Sequence, residues 1–227
     1  MRRCCQPGMS KPKICCVIRN ADIAGIIEAC NLADLFEVRI DLIGGGWTDM
    51  IGHLKRPWIA CNRSIQEGGQ WSGDETGRIA ELYRALELGA AIIDIETGLQ
   101  GLGESIGRIK KKARCMVSFH NWKETPSLEV LAAVVQQQIS SGADICKVVT
   151  TARSFEDNII LLQLFKRFPR IKLVAFAMGN MGVTSRILSP LAGGYFTYAS
   201  LFEGGESAPG QPTVQQLNNI YRMLGKC

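Results

Sequence analysis

Long apolar runs are absent from the sequence, and that absence excludes several classes of protein. No stretch comes near the ~20 apolar residues that span a bilayer, so no membrane partner is expected. The basic start Met1-Arg2-Arg3 is not followed by the apolar segment of a secretory signal, which favours a cytoplasmic protein. The net charge is +5, but lysine and arginine are scattered along the chain. The densest basic run, 108–114, is interpreted as a solvated helix end, so no nucleic-acid partner is expected.

The C-x-x-C spacing is also missing, although the chain has nine cysteines. The adjacent pairs 4–5 and 15–16 have the wrong spacing to share one tetrahedral metal, so no metal site is predicted. The odd count argues against a disulfide framework. Five cysteines lie inside apolar, strand-like runs, where a free thiol behaves as a small hydrophobe: Cys15, Cys16, Cys61, Cys115 and Cys146.

No G-x-G-x-x-G nucleotide motif follows the first strand-like run. Instead, eight such runs alternate with segments of helical periodicity over the whole chain. They lie at 14–18, 35–42, 58–62, 91–96, 115–120, 143–150, 172–178 and 195–198. This βα alternation is typical of a parallel sheet with helices outside, and eight units close into a barrel. We therefore predict an α/β fold, a single (β/α)8 TIM barrel over 1–227, with residues 1–12 as a flexible N-terminal extension.

Capping residues mark where several helices should begin. Asp74 precedes the apolar stripe of the third helix and is expected to be its N-cap. Thr125 and Pro126 are placed to open the fifth helix as cap and first-turn residue. The last helix is predicted to begin just after Pro212.

Charged residues recur at the carboxyl ends of the predicted strands. Residues two apart face the same side of a strand. This groups Glu37, Arg39 and Asp41; Cys61 and Arg63; Asp94 and Glu96; and Ser118 and His120. Ion pairs that merely close the barrel mouth are one interpretation, but desolvation offsets most of the attraction in such pairs. A polar ligand bound at the active-site end of the barrel explains the pattern better.

Lys147 interrupts the apolar run 143–150, where a lysine would be buried. Snorkelling to solvent is the alternative, but little water reaches the middle of a parallel strand. To attack a ketone the amine must be neutral, which needs a shift of roughly three units from ~10.4, about 4–5 kcal/mol. Burial and cations such as Arg39 or Arg63 are expected to lower the pKa of Lys147 in this way. Lys147 is therefore a candidate imine former.

His120 ends the fifth strand, next to the strand of Lys147. On its own, His120 could equally be a hydrogen-bonded core histidine. Beside an imine-forming lysine it becomes the natural general acid and base, because an ordinary histidine titrates near neutrality. The only other histidine, His53, precedes the third strand at the opposite end of the barrel and is interpreted as structural.

The same segments resemble type I 3-dehydroquinate dehydratase over almost the whole chain. The motifs are E-x-R-x-D at 37–41, R-S-x-x-E-G-G at 63–69, S-x-H-N at 118–121 and D-x-x-K at 144–147. Later in the chain, A-M-G-x-x-G-x-x-S-R at 177–186 and S-A-P-G-Q at 207–211 follow in the family's order. Each motif is weak alone, and their succession on consecutive βα units is specific. The first strand offers no clear substrate contact, and the roles of Asp94 and Glu96 stay open.

The resemblance implies a lyase that converts 3-dehydroquinate to 3-dehydroshikimate in the shikimate route to aromatic amino acids. Lys147 would form an imine with the C3 ketone; His120 would remove the C2 proton and assist loss of the C1 hydroxyl; Glu67 would orient His120. No metal or organic cofactor is implied, and a homodimer is suggested. The substrate-binding residues would be those that hold the ring hydroxyls, Glu37, Arg39 and Arg63, and those that clamp the carboxylate, Arg186, Ser207 and Gln211.

Two other classes of function compete with this interpretation. A class I aldolase or transaldolase also uses a barrel lysine, but such enzymes often bind phosphate through glycine-rich late loops. Here the late loops carry Arg186 and the segment 207–211, which suit a carboxylate better. A barrel that only binds small acids or a partner protein is the second competitor. The presence of both Lys147 and His120 argues against it.

Overall fold

The computed structural model describes residues 11–226, and every structural statement below concerns that part of the chain. Of the predicted N-terminal extension, residues 1–10 lie outside it, as do Cys4, Cys5 and Cys227, whereas Pro12 is buried. The strands are β1 Ile14–Ile18, β2 Leu35–Arg39, β3 Trp58–Cys61, β4 Ile92–Glu96, β5 Arg114–His120, β6 Ile145–Thr151, β7 Leu173–Met178 and β8 Thr197–Ser200.

A helix follows each strand. These are α1 Ile23–Ala29, α2 Ile40–Ile43, α3 Glu75–Glu87, α4 Leu102–Ile109, α5 Leu128–Ser140, α6 Glu156–Arg167, α7 Val183–Leu188 and α8 Val214–Met223. Short 3-10 turns lie at Trp47–His53, Ile65–Glu67, Asn180–Gly182 and Ser189–Leu191. The predicted (β/α)8 barrel is thereby confirmed.

The strands pair in parallel in the order β7-β6-β5-β4-β3-β2-β1-β8, which wraps the sheet almost completely around. At the remaining seam, the backbone N–H of Tyr195 donates to the carbonyl of Leu173 at 2.8 Å. The β5 and β6 register pairs Ser118 with Lys147 and His120 with Val149. Since side chains alternate between faces, Lys147 and His120 point to the same side, one pleat apart.

Apolar side chains fill the barrel interior below the strand ends. The residues share the inward parity of each strand and are almost fully buried: Cys15, Val17, Leu35, Ile59, Ile92, Met116, Ile145, Val149, Val174, Phe176, Met178, Phe196 and Tyr198. The opposite parity packs against the helices in two further apolar clusters. The five strand cysteines predicted as core are buried with free thiols, as expected. Charged residues of the same parity therefore lie above or below this packed interior, near the ends of the strands.

Two predicted element boundaries are wrong for reasons visible in the structure, and the other predicted strand ends differ from the observed ones by at most two residues. The second strand was predicted to run to residue 42, but β2 ends at Arg39. The reason is that Asp41 lies in α2, where its carboxylate accepts two hydrogen bonds from the Arg39 guanidinium, at 2.9 and 2.7 Å. Thr125 does not cap α5: its hydroxyl bonds with Thr150 at 2.7 Å, and Ser127 is the N-cap. Asp74 caps α3 as predicted, and α8 begins after the Thr213 cap that follows Pro212.

Candidate active site

One pocket opens at the carboxyl ends of the strands, above the apolar interior. Every sequence-predicted site residue lines it: Glu37, Arg39, Arg63, Glu67, His120, Lys147, Arg186, Ser207 and Gln211. The remaining lining residues are Cys61, Gly68, Trp122, Val149, Phe176, Met178, Tyr198 and Ala208. The structure thus brings together side chains that are up to 174 positions apart in sequence, from Glu37 to Gln211.

Lys147 lies in the floor of this pocket, with only 5% of its side chain exposed. Its ammonium donates to Asp94 Oδ2 at 2.9 Å and to Glu37 Oε2 at 3.3 Å. The Nζ atom also lies 4.4 Å from the centre of the Tyr198 ring. The amine is therefore buried as predicted, and it does not reach into bulk solvent.

The expected lowering of the Lys147 pKa is not found. Burial lowers the pKa, but the carboxylates of Asp94 and Glu37 raise it by more, so the net pKa of Lys147 is above its ordinary value. The prediction counted the cations Arg39 and Arg63 and missed the two anions that contact the amine. Lys147 rests as an ammonium ion in the unliganded site.

Asp94 holds the floor of the pocket together. It is 1% exposed and accepts hydrogen bonds from Arg63 Nη2 at 2.7 Å, Ser118 Oγ at 2.6 Å and the Lys147 ammonium. Burial alone would raise the pKa of Asp94, but Arg63 and Lys147 lower it to about 2. Asp94 is therefore a fixed anion between two cations, which gives the open question of its role an electrostatic answer.

Glu96 lies behind the pocket, outside its lining. Its carboxylate is 3.3 Å from Arg63 Nη1 and 2.9 Å from Arg78 Nη1, and it accepts the backbone N–H of Ser64 at 3.0 Å. Glu96 thus holds the Arg63 guanidinium and the start of the following loop in place, without facing the pocket.

His120 and Glu67 form a pair at the pocket rim. His120 Nδ1 lies 2.8 Å from Glu67 Oε2, and 9% of the histidine side chain is exposed. Glu67 belongs to the 3-10 turn that follows β3, and Trp122 Nε1 donates to its backbone carbonyl at 2.9 Å. Gly68 has a φ of +79°, and a Cβ there would lie 2.2 Å from the Trp122 ring. Only glycine allows this turn to pack flat on the indole.

The pocket shifts the pKa of both members of this pair. Burial, together with the cations Arg63, Lys147 and Arg39, holds the pKa of His120 well below its ordinary value. Burial raises the pKa of Glu67 to about 7, although Arg63 acts in the opposite direction. The imidazole is therefore neutral. When Glu67 is ionised, it accepts the Nδ1 proton, which leaves the Nε2 lone pair available as a base.

Arg186 is the buried cation of the pocket that lacks an anion. It is 2% exposed, none of the ion pairs of residues 11–226 includes it, and its Nε finds no acceptor among those residues. The guanidinium carbon lies 4.3 Å from the centre of the Phe176 ring. Burial lowers the pKa of Arg186 to about 9. A desolvated guanidinium of this kind is poised to receive a planar anion.

Ser207 and Gln211 lie in the loop between β8 and α8, on the pocket wall. The Gln211 side-chain oxygen accepts the Ser207 backbone N–H at 2.8 Å and the Ser207 hydroxyl at 3.0 Å. The two residues therefore fix one another. They border the same pocket as Arg186, which is where a carboxylate clamp needs them.

Tyr198 and Trp122 were missed by the sequence reasoning. The Tyr198 hydroxyl donates to Glu37 Oε2 at 2.8 Å, the same oxygen that accepts from Lys147. Its parity on the eighth strand was a usable signal, but a tyrosine in an apolar run suggests core packing. Trp122 is 42% exposed and lies two residues beyond the fifth strand, so no periodicity marks it.

The acidic groups of the floor are already compensated by fixed cations. Glu37, Cys61 and Asp94 place one possible metal-ligand atom each within 4.8 Å of one another. The carboxylates of Glu37 and Asp94 are, however, bound by Lys147, and Asp94 also by Arg63. In this site the lysine and arginine cations supply the positive charge that an ion would bring.

The fold and the site together are those of a barrel enzyme with an active-site lysine. One small-molecule pocket is lined by a buried lysine, a neutral histidine and an arginine that has no ion pair among residues 11–226. The model of the type I 3-dehydroquinase family matches residues 14–227. The chain belongs to this family, which makes it a lyase of the shikimate route. The resemblance drawn from the sequence motifs is thereby confirmed.

Curated relatives agree with the family assignment. A 3-dehydroquinate dehydratase of Dehalococcoides mccartyi is 45% identical over 216 residues, which cover 95% of this chain and 97% of the relative. That of Methanocaldococcus jannaschii is 34% identical and covers 86% of this chain and 89% of its own. Among solved structures, the Geobacillus kaustophilus enzyme is 26% identical, with a TM-score of 0.81 over 94% of this chain and 91% of that one.

The fold is shared more widely than the sequence. The type I 3-dehydroquinate dehydratase of Clostridium difficile is 23% identical, with a TM-score of 0.85 over 96% of this chain and 94% of that chain.

None of the helices described within residues 11–226 combines the length and apolar character that a bilayer crossing requires.

Proposed function

We propose that the chain dehydrates 3-dehydroquinate to 3-dehydroshikimate through an imine on Lys147. The observation that carries the proposal is that a buried lysine, a neutral histidine and an unpaired arginine line a single pocket. Each of the three supplies one requirement of the reaction: an electron sink, a proton carrier and a seat for the substrate carboxylate.

The first step is imine formation between Lys147 Nζ and the substrate C3 ketone. The ammonium gives up a proton to a base in the site, and the neutral His120 is available for this. The amine adds to C3, and the carbonyl oxygen leaves as water after taking up two protons. The resulting iminium carries a positive charge where the ammonium was. Asp94 and Glu37 stabilise both cations, so the charge environment hardly changes along the path.

Proton transfer at C2 and loss of the C1 hydroxyl fall to His120. The iminium acidifies the C2 proton, which His120 Nε2 accepts to give an enamine. The enamine electrons then expel the C1 hydroxyl, and His120 returns its proton so that water leaves. Hydrolysis of the conjugated iminium releases product and restores Lys147. Glu67 bonds to Nδ1 and fixes the ring so that Nε2 faces the substrate.

Substrate binding follows from the remaining pocket residues. The C1 carboxylate would bind Arg186 with help from Ser207 and Gln211, because no carboxylate among residues 11–226 pairs with the guanidinium. Glu37, Arg39 and Arg63 would contact the ring hydroxyls from the opposite wall. We further propose a cytoplasmic homodimer whose binding partner is this small carboxylate, without a role for nucleic acid or membrane.

Borohydride trapping tests the imine directly. Reduction in the presence of substrate should add the mass of the bound ligand to the peptide that contains Lys147, and Lys147→Ala should abolish both the adduct and turnover. Lys110, which is exposed and paired with Asp144, provides the control: Lys110→Ala should trap like the wild type. Full activity of Lys147→Ala would overturn the proposal.

The competing functions are tested in the same experiments. Turnover of sugar phosphates with no turnover of dehydroquinate would indicate an aldolase instead. Trapping without turnover of any of these compounds would indicate a barrel that only binds small acids.

A further inference from the structure

The opposite, N-terminal end of the barrel carries a second set of charges that faces inward. Lys13 precedes β1 by one residue, Arg114 begins β5, and Lys172 precedes β7 by one residue. By parity they continue the inward-facing positions Cys15, Met116 and Val174, and they form the layer below them. The packed interior separates this layer from the catalytic pocket.

These three cations surround one aromatic ring. The Lys13 Nζ lies 5.4 Å, the Lys172 Nζ 5.7 Å and the Arg114 guanidinium carbon 6.0 Å from the centre of the Tyr195 ring. Arg114 Nη1 also donates to the Tyr195 hydroxyl at 2.6 Å. Tyrosine faces attract cations weakly, and one ring cannot compensate three of them.

No carboxylate within the described chain pairs with this cluster. None of the ion pairs formed by residues 11–226 includes Lys13, Arg114 or Lys172. The two acids that immediately precede β2 and β6 are engaged elsewhere. Asp34 accepts the backbone N–H of Ile14 at 2.9 Å, and Asp144 pairs with Lys110 at 3.0 Å and accepts the N–H of Cys115.

A cavity of about 260 Å³ opens at this cluster. Among residues 11–226 its lining includes Lys11, Lys13, Arg170, Lys172 and Tyr195 and no acidic residue, and Arg114 lies outside the lining. Like charges converging on an open cavity repel one another unless an anion is shared among them. The volume suits a ligand smaller than most drug-sized molecules.

We propose that this basal cavity binds a phosphate dianion, either free or as the monoester of a small metabolite. Lys13 and Lys172 would contact its oxygens from two strands, while Arg114, held by the Tyr195 hydroxyl, adds charge from a third. The site is independent of the catalytic reaction and lies at the far end of the barrel.

Titration calorimetry of the full chain at constant ionic strength tests this, with inorganic phosphate in one arm and phenyl phosphate in the other. We expect saturable binding with one site per chain, weakened at least tenfold in the double variant Lys13→Gln/Lys172→Gln. The double variant Lys111→Gln/Lys166→Gln removes the same charge from exposed positions elsewhere, and should change the affinity less than twofold.

Arg186 is a rival phosphate site, so each titration is repeated in Arg186→Met. Binding that persists there and is lost in Lys13→Gln/Lys172→Gln supports the basal site, and Arg114→Gln should weaken it by a smaller factor, because Arg114 lies outside the cavity lining. The stronger arm identifies free phosphate or a monoester. Absence of saturable binding in both arms, or loss of it in Arg186→Met alone, would overturn the proposal.

Discussion

The mouth of the barrel, where the strands end, and its base, the N-terminal end where the strands begin, differ in how their cations are compensated. At the mouth, Lys147 and Arg63 are buried and pair with Asp94 and with other carboxylates from β2 and β4. At the base, Lys13 and Lys172 are exposed, and no carboxylate among residues 11–226 pairs with them. Water can solvate an unpaired cation at the base, whereas a desolvated one at the mouth needs an anion. Arg186 is the exception at the mouth, and this is why we propose it as the site of the substrate carboxylate.

Replacing Lys147 should produce the largest effect at the mouth. Lys147→Ala should lower turnover by roughly 10⁴-fold or more, because the proposed imine on Lys147 supplies the electron sink of the reaction. It should also cost about 3–5 kcal/mol in the free energy of unfolding, because Asp94 and Glu37 lose their shared cation. Urea unfolding and steady-state rates measure the two effects. Asp94→Asn in the Lys147→Ala background should restore part of the stability and none of the rate, and a rate restored there would contradict the assignment.

Replacing His120 should produce the next largest effect on turnover. His120→Ala is expected to lower turnover about 10²- to 10⁴-fold, the usual contribution of a positioned acid or base. Some imine should still form in this variant, which borohydride trapping and mass spectrometry would detect. His53→Ala, at the other histidine, should keep the rate of the wild type. Equal rates for His120→Ala and the wild type would remove His120 from the chemistry.

Arg186 sharpens the comparison because it lies at the mouth but, like the lysines at the N-terminal end of the barrel, pairs with no carboxylate among residues 11–226. Arg186→Met should weaken binding of substrate and product by roughly 10- to 150-fold, since a hydrogen bond to a charged group contributes about 1.5–3 kcal/mol. The unliganded variant should nevertheless be at least as stable as the wild type, because an unpaired buried charge is removed. A large loss of stability in thermal unfolding would mean that Arg186 has a structural partner.

Glu67 should make the mouth sensitive to pH. Below about 7 it is protonated and donates to His120 Nδ1, which puts the ring proton on Nε2 and removes the base. The value of kcat/KM, which reports groups of the free enzyme, should therefore fall as the pH drops through about 7, and Glu67→Gln should flatten that limb. A limb that stays in place in Glu67→Gln would assign it to another group.

The same shift predicts a trend in stability. The pKa of Glu67 is raised from 4.5 in the unfolded chain to about 7 in the fold, so its protonated form is favoured by folding. That contribution is complete below about pH 4.5 and is lost as the pH rises through about 7. The free energy of unfolding of the wild type should thus decline relative to Glu67→Gln across this window.

The smallest effect is expected at the base. The double variant Lys13→Gln/Lys172→Gln should change the free energy of unfolding by no more than about 0.5 kcal/mol, as is usual for exposed positions. Any gain should appear at low salt, because it comes from relieved repulsion, and it should vanish at high salt. A marked loss of stability would show that these lysines have partners in the fold.

Much of the mouth could be predicted because strand parity is a local property. The pleat alone groups Glu37 with Arg39 and Ser118 with His120, and the succession of strands places these groups at one end of the barrel. Burial of Lys147 follows from its apolar run. These residues could be predicted without any information about contacts between strands.

The partners of Lys147 could not be predicted in the same way. Its pKa depends on Asp94 and Glu37, which are 53 and 110 positions away and approach only when the sheet curves around. The end of β2 likewise depends on the bond between Arg39 and Asp41, and the start of α5 on the contact of Thr125 with Thr150. The cations of the base went unrecognised because they are far apart along the chain.

The seam between β7 and β8 determines where the barrel should open locally. In the part of the chain that the structure describes, the backbone bond across this seam runs from Tyr195, which precedes β8, to Leu173 of β7, whereas every other neighbouring pair of strands shares a ladder. Local opening should start at this joint, so amide hydrogens there should exchange with solvent sooner than those of β5 and β6. Because Lys172 precedes β7 and Lys13 precedes β1, the strand paired with β8, an anion that bridged the two lysines would hold the seam closed and slow that exchange.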